Sequence, residues 1–405
     1  MTSYFFEDAL NKEKEAVANS LSFYNWWWRN MFTRENLDQA KRVVVKVGTS
    51  TLTHSTGKLN LWRIEKLVRE LADLANQGKE MILVTSGAVG AGMDLLGLKE
   101  KPKTIPEKQA AAAVGQGRLM HTYEKFFSEH GQVVAQVLLT REDSVKRTRY
   151  TNCRNTLLTL LKMGVIPIIN ENDAVAIDEL KIGDNDTLSA MVASIVDADV
   201  LIILSDIEGV YTDNPQSNPE ATLIEEIGDI TPEIEALAGG AGTLRGTGGM
   251  HTKIQAGKIA VNSGVSMVIA SGLRDGVLRD ILSGAKVGTI FLSKENRLQV
   301  RKRWLAFGAR TQGVITVDKG CEKAVLSGGS SVLAAGITGV QGDFEHGNTI
   351  SVVTTEGREI ARGIANYNGE EARKIMGCHT NGLAQILGSK PYDEVIHRDN
   401  MVLLV

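Results

Sequence analysis

The chain has 405 residues, 43% apolar and 23% charged, with a formal net charge of −3. That length exceeds what a single core usually organises, so two domains are expected, and the near-neutral balance excludes a global electrostatic bias toward nucleic acid or membrane. Three scattered cysteines (Cys153, Cys321, Cys378) without C-x-x-C spacing suggest reduced thiols and a cytoplasmic setting, and no apolar run reaches the roughly 18 residues of a membrane span.

Residues 1–40 form an aromatic-rich extension with Phe5, Phe6 and the block Phe23-Tyr24-Asn25-Trp26-Trp27-Trp28. Glu7, Asp8, Glu13 and Glu15 argue against a signal or transit peptide. Two readings remain open: an interaction helix or a disordered extension.

From residue 41 strand-like and helix-like periods alternate. Arg42–Val47 is β-branched and ends at Gly48; Leu61, Ile64, Leu67, Leu71 and Leu74 follow at helical spacing, closed by Gly78. Met81–Val84, Val133–Leu139, Val165–Ile169, Val200–Leu204 and Met267–Ala270 read as further buried strands. Near-continuous apolar strands separated by helices predict an α/β fold, an open, mainly parallel sheet sandwiched by helices, over 41–294. Ligands of such sheets bind beyond the carboxyl ends of the strands. Residues 295–309 read as a linker that includes Arg301-Lys302-Arg303-Trp304. Beyond it, short runs at Val314–Val317, Ile337–Val340, Ile350–Val353, Ile360–Ile364 and Met401–Val405 predict a small, mostly β domain over 310–405.

Four groups could carry chemistry. Lys46 lies inside a buried strand, where an ammonium is costly unless it is paired or serves an anion; an edge position is the alternative. Gly87-Ala88-Val89-Gly90-Ala91-Gly92, after Ser86, either wraps a small ligand or permits tight helix–strand packing. Asn170, Asn172 and Asp173, with Gly183-Asp184-Asn185-Asp186, could converge on ammonium and carboxylate groups. Asp186 could hold two lysines at a fixed separation or simply cap a helix. Thr247-Gly248-Gly249-Met250-His251-Thr252-Lys253 is a glycine-rich turn opening a helix, suited to phosphate, with Ser205-Asp206 ending a strand beside it. It is not a Walker A loop, and no Gly-x-Gly-x-x-Gly occurs.

Two lysines, several acids, glycine-rich turns and no evident nucleophile disfavour covalent catalysis and favour phosphoryl transfer. An anionic acceptor and a γ-phosphate about 4 Å apart repel by roughly 4 kcal/mol at an effective dielectric near 20, which two lysines would offset. No direct protein ligand for a metal is expected; Mg2+ would arrive on the phosphates of ATP.

Val-Lys-Val-Gly-Thr-Ser at 45–50, Val-Thr-Ser-Gly-Ala at 84–88, Ile-Asn-Glu-Asn-Asp-Ala-Val-Ala at 169–176, Gly-Asp-Asn-Asp at 183–186 and the 247–253 loop together resemble the glutamate 5-kinase branch of the amino acid kinase family. Gly313-Val-Ile-Thr-Val-Asp, the 319–320 and 329–333 segments and Gly-Arg-Glu-Ile-Ala-Arg-Gly at 357–363 resemble a PUA domain. The resemblance implies that ATP phosphorylates the γ-carboxylate of L-glutamate, the first step toward proline. It implies feedback inhibition by proline, a homo-oligomer and hand-over of the acyl phosphate to a glutamyl-phosphate reductase. By motif, Lys46 and Lys253 would stabilise the transferring group and Asp186 would orient them. Ser86, Asn170, Asp173, Asp184 and Asn185 would hold glutamate. Lys46, Gly48, Ser205, Asp206, Thr247, Gly248, Gly249, Met250, His251, Thr252 and Lys253 would contact ATP. Ser205 and His251 depart from the family's common Thr and Ser. A sibling kinase with another acceptor, or an RNA-binding regulator acting through the PUA-like part, are the competing readings.

Overall fold

The computed structural model describes residues 32–54, 56–140, 142–143, 146–175, 184–215, 217–237, 249–293, 311–388 and 392–404. Residues 1–31 of the aromatic extension, the linker 295–309, Gly183, Thr247 and Gly248 lie outside the described residues. The chain divides into two compact units, one of residues 1–141 and 156–297, the other of 142–155 and 298–405.

The first unit is built on an eight-stranded sheet: β1 (Arg42–Val47), β2 (Glu80–Val84), β3 (Val134–Leu139), β4 (Ile166–Glu171), β5 (Val200–Ser205), β6 (Glu226–Ile227), β7 (Ser266–Ser271) and β8 (Thr289–Phe291). Their order is β3-β4-β2-β1-β5-β7-β8-β6, parallel except where β7 meets β8. β6 and β8, of two and three residues, are too short to show a period, so neither is among the strands expected from the residues.

Helices follow the strands with local signals that explain their limits. In α1 (Leu61–Asn76), Asn60 accepts from the Arg63 amide at 3.2 Å, and Ile64, Leu67, Val68, Leu71 and Leu74 form the buried stripe. α2 (Ala88–Leu95) follows β2, and α3 (Ile105–Glu129) starts with a capping box in which Thr104 and Glu107 serve each other's amides. A Cβ built on Gly92 would lie 1.8 Å from the Ala111 carbonyl oxygen, and one on Gly115 would lie 1.8 Å from that of Ala88. Within the run at 87–92, Gly92 therefore serves close packing, between two helices rather than helix and strand, whereas a Cβ on Gly87 or Gly90 would meet nothing within 4 Å. α4 (Asn185–Ile195), α5 (Met250–Asn262) and α6 (Val277–Leu282) complete the layers that matter for the site.

Alternation along β1 sorts its side chains. Val43, Val45 and Val47 join the core formed with α1, Leu119, Tyr123 and Phe127 of α3, and α6. Lys46 therefore faces the opposite layer, where α4 and α5 pack together. The parallel register sets Lys46 beside Val84 and Ile203, Val47 beside Leu204, Val84 beside Ile169, and Ser205 beside Ser271. Consequently the residues after β1, β2, β4 and β5 gather on one edge. Among the described residues no helix is long and apolar enough to cross a membrane.

The second unit holds a five-stranded sheet, order β10-β9-β11-β12-β13, from β9 (Gly313–Val317), β10 (Ile337–Gln341), β11 (Thr349–Thr354), β12 (Glu359–Ile364) and β13 (Met401–Leu403). Helices Lys319–Gly328 and Gly369–Ile375 cover a core that includes Ile315, Ile350, Val352, Tyr367 and Ile396.

One tie in the first unit precedes every recognisable motif. The buried guanidinium of Arg34 donates to the carbonyls of Ala285 (3.1 Å), Val287 (2.9 Å), Gly288 (2.6 Å) and Glu225 (2.7 Å). Arg34→Met leaves those acceptors without their donor, so urea unfolding should show a loss of about 3 kcal/mol or more, with kinetics intact in the folded fraction.

Candidate active site

Three charged side chains from distant segments meet at the carboxyl edge of the first sheet. Lys46 projects from β1, Asp186 from the first turn of α4 and Lys253 from the first turn of α5. Asp186 is fully buried, Lys46 is 7% exposed and Lys253 4%. Lys46 Nζ lies 2.5 Å from Asp186 Oδ1, and Lys253 Nζ lies 3.2 Å from Oδ2. The Thr252 hydroxyl sits 2.7 Å from both Oδ2 and the Gly249 carbonyl, tying the carboxylate to the start of α5. The Ser189 hydroxyl donates to the Asp186 carbonyl at 2.6 Å.

One buried carboxylate faces two buried ammonium groups, and Asp184 adds a second negative charge that acts on Lys46; such a cluster is costly to bury unless its members stay paired. Burial drives the Lys46 pKa below its ordinary value, opposed by Asp186 and reinforced by Lys253. Burial also pushes the Asp186 carboxyl upward, but Lys46, Lys253 and the Thr252 hydroxyl outweigh it and hold it below its usual range. Gly48 follows beside the lysine: a Cβ there would lie 3.5 Å from Lys46 Nζ, in ordinary contact. Gly249 caps α5 without a side chain, so the first amides of that helix have no side-chain partner at the cap. Of the remaining loop residues, Met250 is half-buried and His251 exposed.

The helix cap that the sequence offered for Asp186 falls instead to its neighbour. Asp184 Oδ1 accepts from the Thr187 amide at 2.8 Å and Oδ2 from the Thr187 hydroxyl at 2.9 Å. Asn185 Nδ2 reaches the Thr85 carbonyl (2.7 Å), Ser86 Oγ (2.8 Å) and Asn170 Oδ1 (3.0 Å), so Ser86, Asn170 and Asn185 form one cluster. Asp173 lies on the wall of a cavity of about 310 Å³ that Gln116, Glu171 and Asn172 also line. Ser205, buried at the end of β5, donates to Asp206 Oδ1 at 3.0 Å, and Asp206 itself is exposed. The sequence reading passed over Gln116, which stands among alanines and glycines on α3, and over the role of Thr252 as a partner of Asp186.

Residues 41–271 match the amino acid kinase family, and residues 313–387 match the PUA domain. The chain belongs to the amino acid kinase family. Among curated relatives, glutamate 5-kinase of Moorella thermoacetica is 57% identical over 91% of this chain and 97% of its own length. Glutamate 5-kinase of Caldanaerobacter subterraneus subsp. tengcongensis is 57% identical, covering 90% of this chain and 98% of its own. That of Geobacter sp. (strain M21) is 47% identical over 92% of this chain and all of its own.

Asp186→Asn should leave two ammonium groups buried against a neutral amide, costing about 3–5 kcal/mol in chemical denaturation. Because the folded-state pKa of Asp186 is depressed, its stabilisation is complete above the unfolded value of 3.8 and fades as pH falls through the folded value. Comparing unfolding midpoints of wild type and Asp186→Asn down through that range should show the gap between them narrowing.

Proposed function

We propose that the chain transfers the terminal phosphoryl group of ATP to the γ-carboxylate of L-glutamate, giving L-glutamyl 5-phosphate, the opening step toward proline. The buried Lys46–Asp186–Lys253 cluster is the observation that carries this reading. The names of the relatives, which the chain matches over nearly its whole length, supply the acceptor.

The chemistry suits the residues. A carboxylate oxygen attacks the γ-phosphorus in line, the bond from that phosphorus to the β,γ-bridging oxygen breaks, and ADP leaves with the electron pair. No proton is transferred, since the nucleophile is already ionised, so no general base is needed. What is required is cancellation of negative charge as three anionic groups converge. Lys46 and Lys253 supply that charge from opposite oxygens of Asp186, which fixes their separation. Ser86, Asn170, Asp173, Asp184 and Asn185 hold glutamate, Asp184 also stiffening the start of α4. Gly48, Ser205, Asp206 and the 247–253 loop hold ATP, with the start of α5 directed at its phosphates. Mg2+ bound to the phosphates supplies further charge neutralisation. Proline acts as a feedback inhibitor, the chain works as a homo-oligomer in the cytoplasm, and a reductase takes the product.

A coupled ADP-release assay with hydroxylamine trapping, run with glutamate, aspartate, acetylglutamate, carbamate and a nucleotide, tests the reading. Glutamate should give the hydroxamate; its absence there, with turnover of another acceptor, assigns the chain to a sibling activity. Lys46→Met and Lys253→Met should each lower kcat by about 10²–10³ while the protein stays folded. Asp173→Ala should chiefly raise the glutamate KM.

The cluster also fixes an alkaline limit. Lys46 sheds its proton below the ordinary lysine value of 10.5, so the pH profile of kcat/KM, which reports the free enzyme, should fall on the alkaline side before that value is reached. A limb at or above 10.5 would contradict the role given to Lys46.

A further inference from the structure

We infer that Gln116 is an acceptor-binding residue whose side-chain amide donates to a carboxylate oxygen of the acceptor. This rests on the reading of the chain as a carboxylate kinase and adds a contact that no motif marks.

The backbone fixes the orientation of three carboxamides in series. Asn185 Nδ2 lies 2.7 Å from the Thr85 carbonyl, an acceptor only, so that end of Asn185 must be its NH2 group. Asn170 Oδ1 receives the Glu171 amide at 2.9 Å and Asn185 Nδ2 at 3.0 Å, so that atom must be oxygen. The NH2 group of Asn170 is therefore the one facing Gln116, 2.9 Å from its Oε1. By elimination, Gln116 commits its oxygen inside the protein and has its own NH2 group to spare.

That group is shielded from solvent and has no acceptor among the described residues. Gln116 itself is 9% exposed. A buried donor without a partner is costly and calls for an explanation. Gln116 lines the cavity of about 310 Å³ shared with Glu171, Asn172 and Asp173, a volume near the lower end for small-ligand sites. The carboxylates suit an ammonium group, and the amide of Gln116 suits a carboxylate.

The opposite end of the series has the same polarity. Ser86 Oγ accepts from Asn185 at 2.8 Å, and its own proton goes to no acceptor among the described residues. The network thus ends in donors on both sides, an arrangement that favours an anion over a neutral amide or an alcohol. Gly115, next to Gln116, sets the spacing: a Cβ there would lie 1.8 Å from the Ala88 carbonyl oxygen, so only glycine lets α3 lie this close to α2.

Two substitutions test the inference in the full-length chain. Gln116→Glu keeps an oxygen for Asn170 and replaces the spare NH2 group by an anionic oxygen. Gln116→Met removes both functions at similar volume. Steady-state kinetics with glutamate and ATP varied separately should show the glutamate KM raised at least about tenfold in Gln116→Glu, and raised less in Gln116→Met, since repulsion is added to the lost bond only in the former. The ATP KM should stay within about twofold, as expected for a contact made to the acceptor alone. Melting in ATP without glutamate identifies which variants are folded, and either folded variant is sufficient. An unchanged glutamate KM, or equal losses for glutamate and ATP, overturns the inference. A wild-type chain that turns over no carboxylate acceptor overturns the function reading as well, whereas an active wild type with an unaffected Gln116→Glu variant overturns this contact alone.

Discussion

A single buried carboxylate holds the first unit's charged cluster together. Lys46 and Lys253 each pair with one oxygen of Asp186 and, against its burial, help to keep that carboxyl ionised. Its position follows from local structure: Asp184 takes the cap of α4, which frees Asp186 to point inward from the first turn. Thr252 and Ser189 then restrain the carboxylate and its backbone, so the separation of the two ammonium groups depends on packed helices rather than on a mobile loop. The cluster sits where a parallel sheet gathers its loops.

The sheet explains how residues more than two hundred positions apart converge. Register between β1, β2, β4 and β5 brings Lys46, Ser86, Asn170 and Ser205 to one edge without any of these segments being adjacent in sequence. Around that edge the polar groups divide by function. The lysine cluster is charged and dry; the amide series running from Ser86 to Gln116 is neutral and directional, its polarity set by two backbone groups. Charge strength and orientation are thereby handled by separate sets of side chains.

Much of this could be read from the residues. A lysine inside Val-Val-Val-Lys-Val-Gly stands out because burial there needs a reason, and the glycine turn before Lys253 carries its own chemical meaning. The long strands were visible because an apolar run in a doubly covered sheet is continuous, and their predicted limits fall within a residue or two of those observed. What stayed hidden depends on tertiary proximity. Which of Asp184 and Asp186 caps the helix cannot be told from spacing alone. Gly92 and Gly115 form a pair only because two helices cross there, and β8 runs antiparallel to its neighbour in just three residues. Gln116 is silent in sequence because its meaning lies in which of its two amide atoms is already engaged.

The place where the chain enters the first unit has a practical bearing. The Phe32 carbonyl accepts from Ser266 at the first residue of β7, and Arg34 fastens the next turn beneath β8. The Phe32–Ser266 anchor belongs to the amino-terminal rim of the sheet, whereas the lysine cluster occupies the carboxyl rim; the Arg34 acceptors precede β8, which runs antiparallel and so begins beside the carboxyl end of β7. A six-residue strand separates the two rims by roughly 20 Å. An affinity handle or fluorescent reporter joined at Phe32 would therefore attach at the rim remote from the lysine cluster, which makes that junction a suitable attachment point for immobilising the protein.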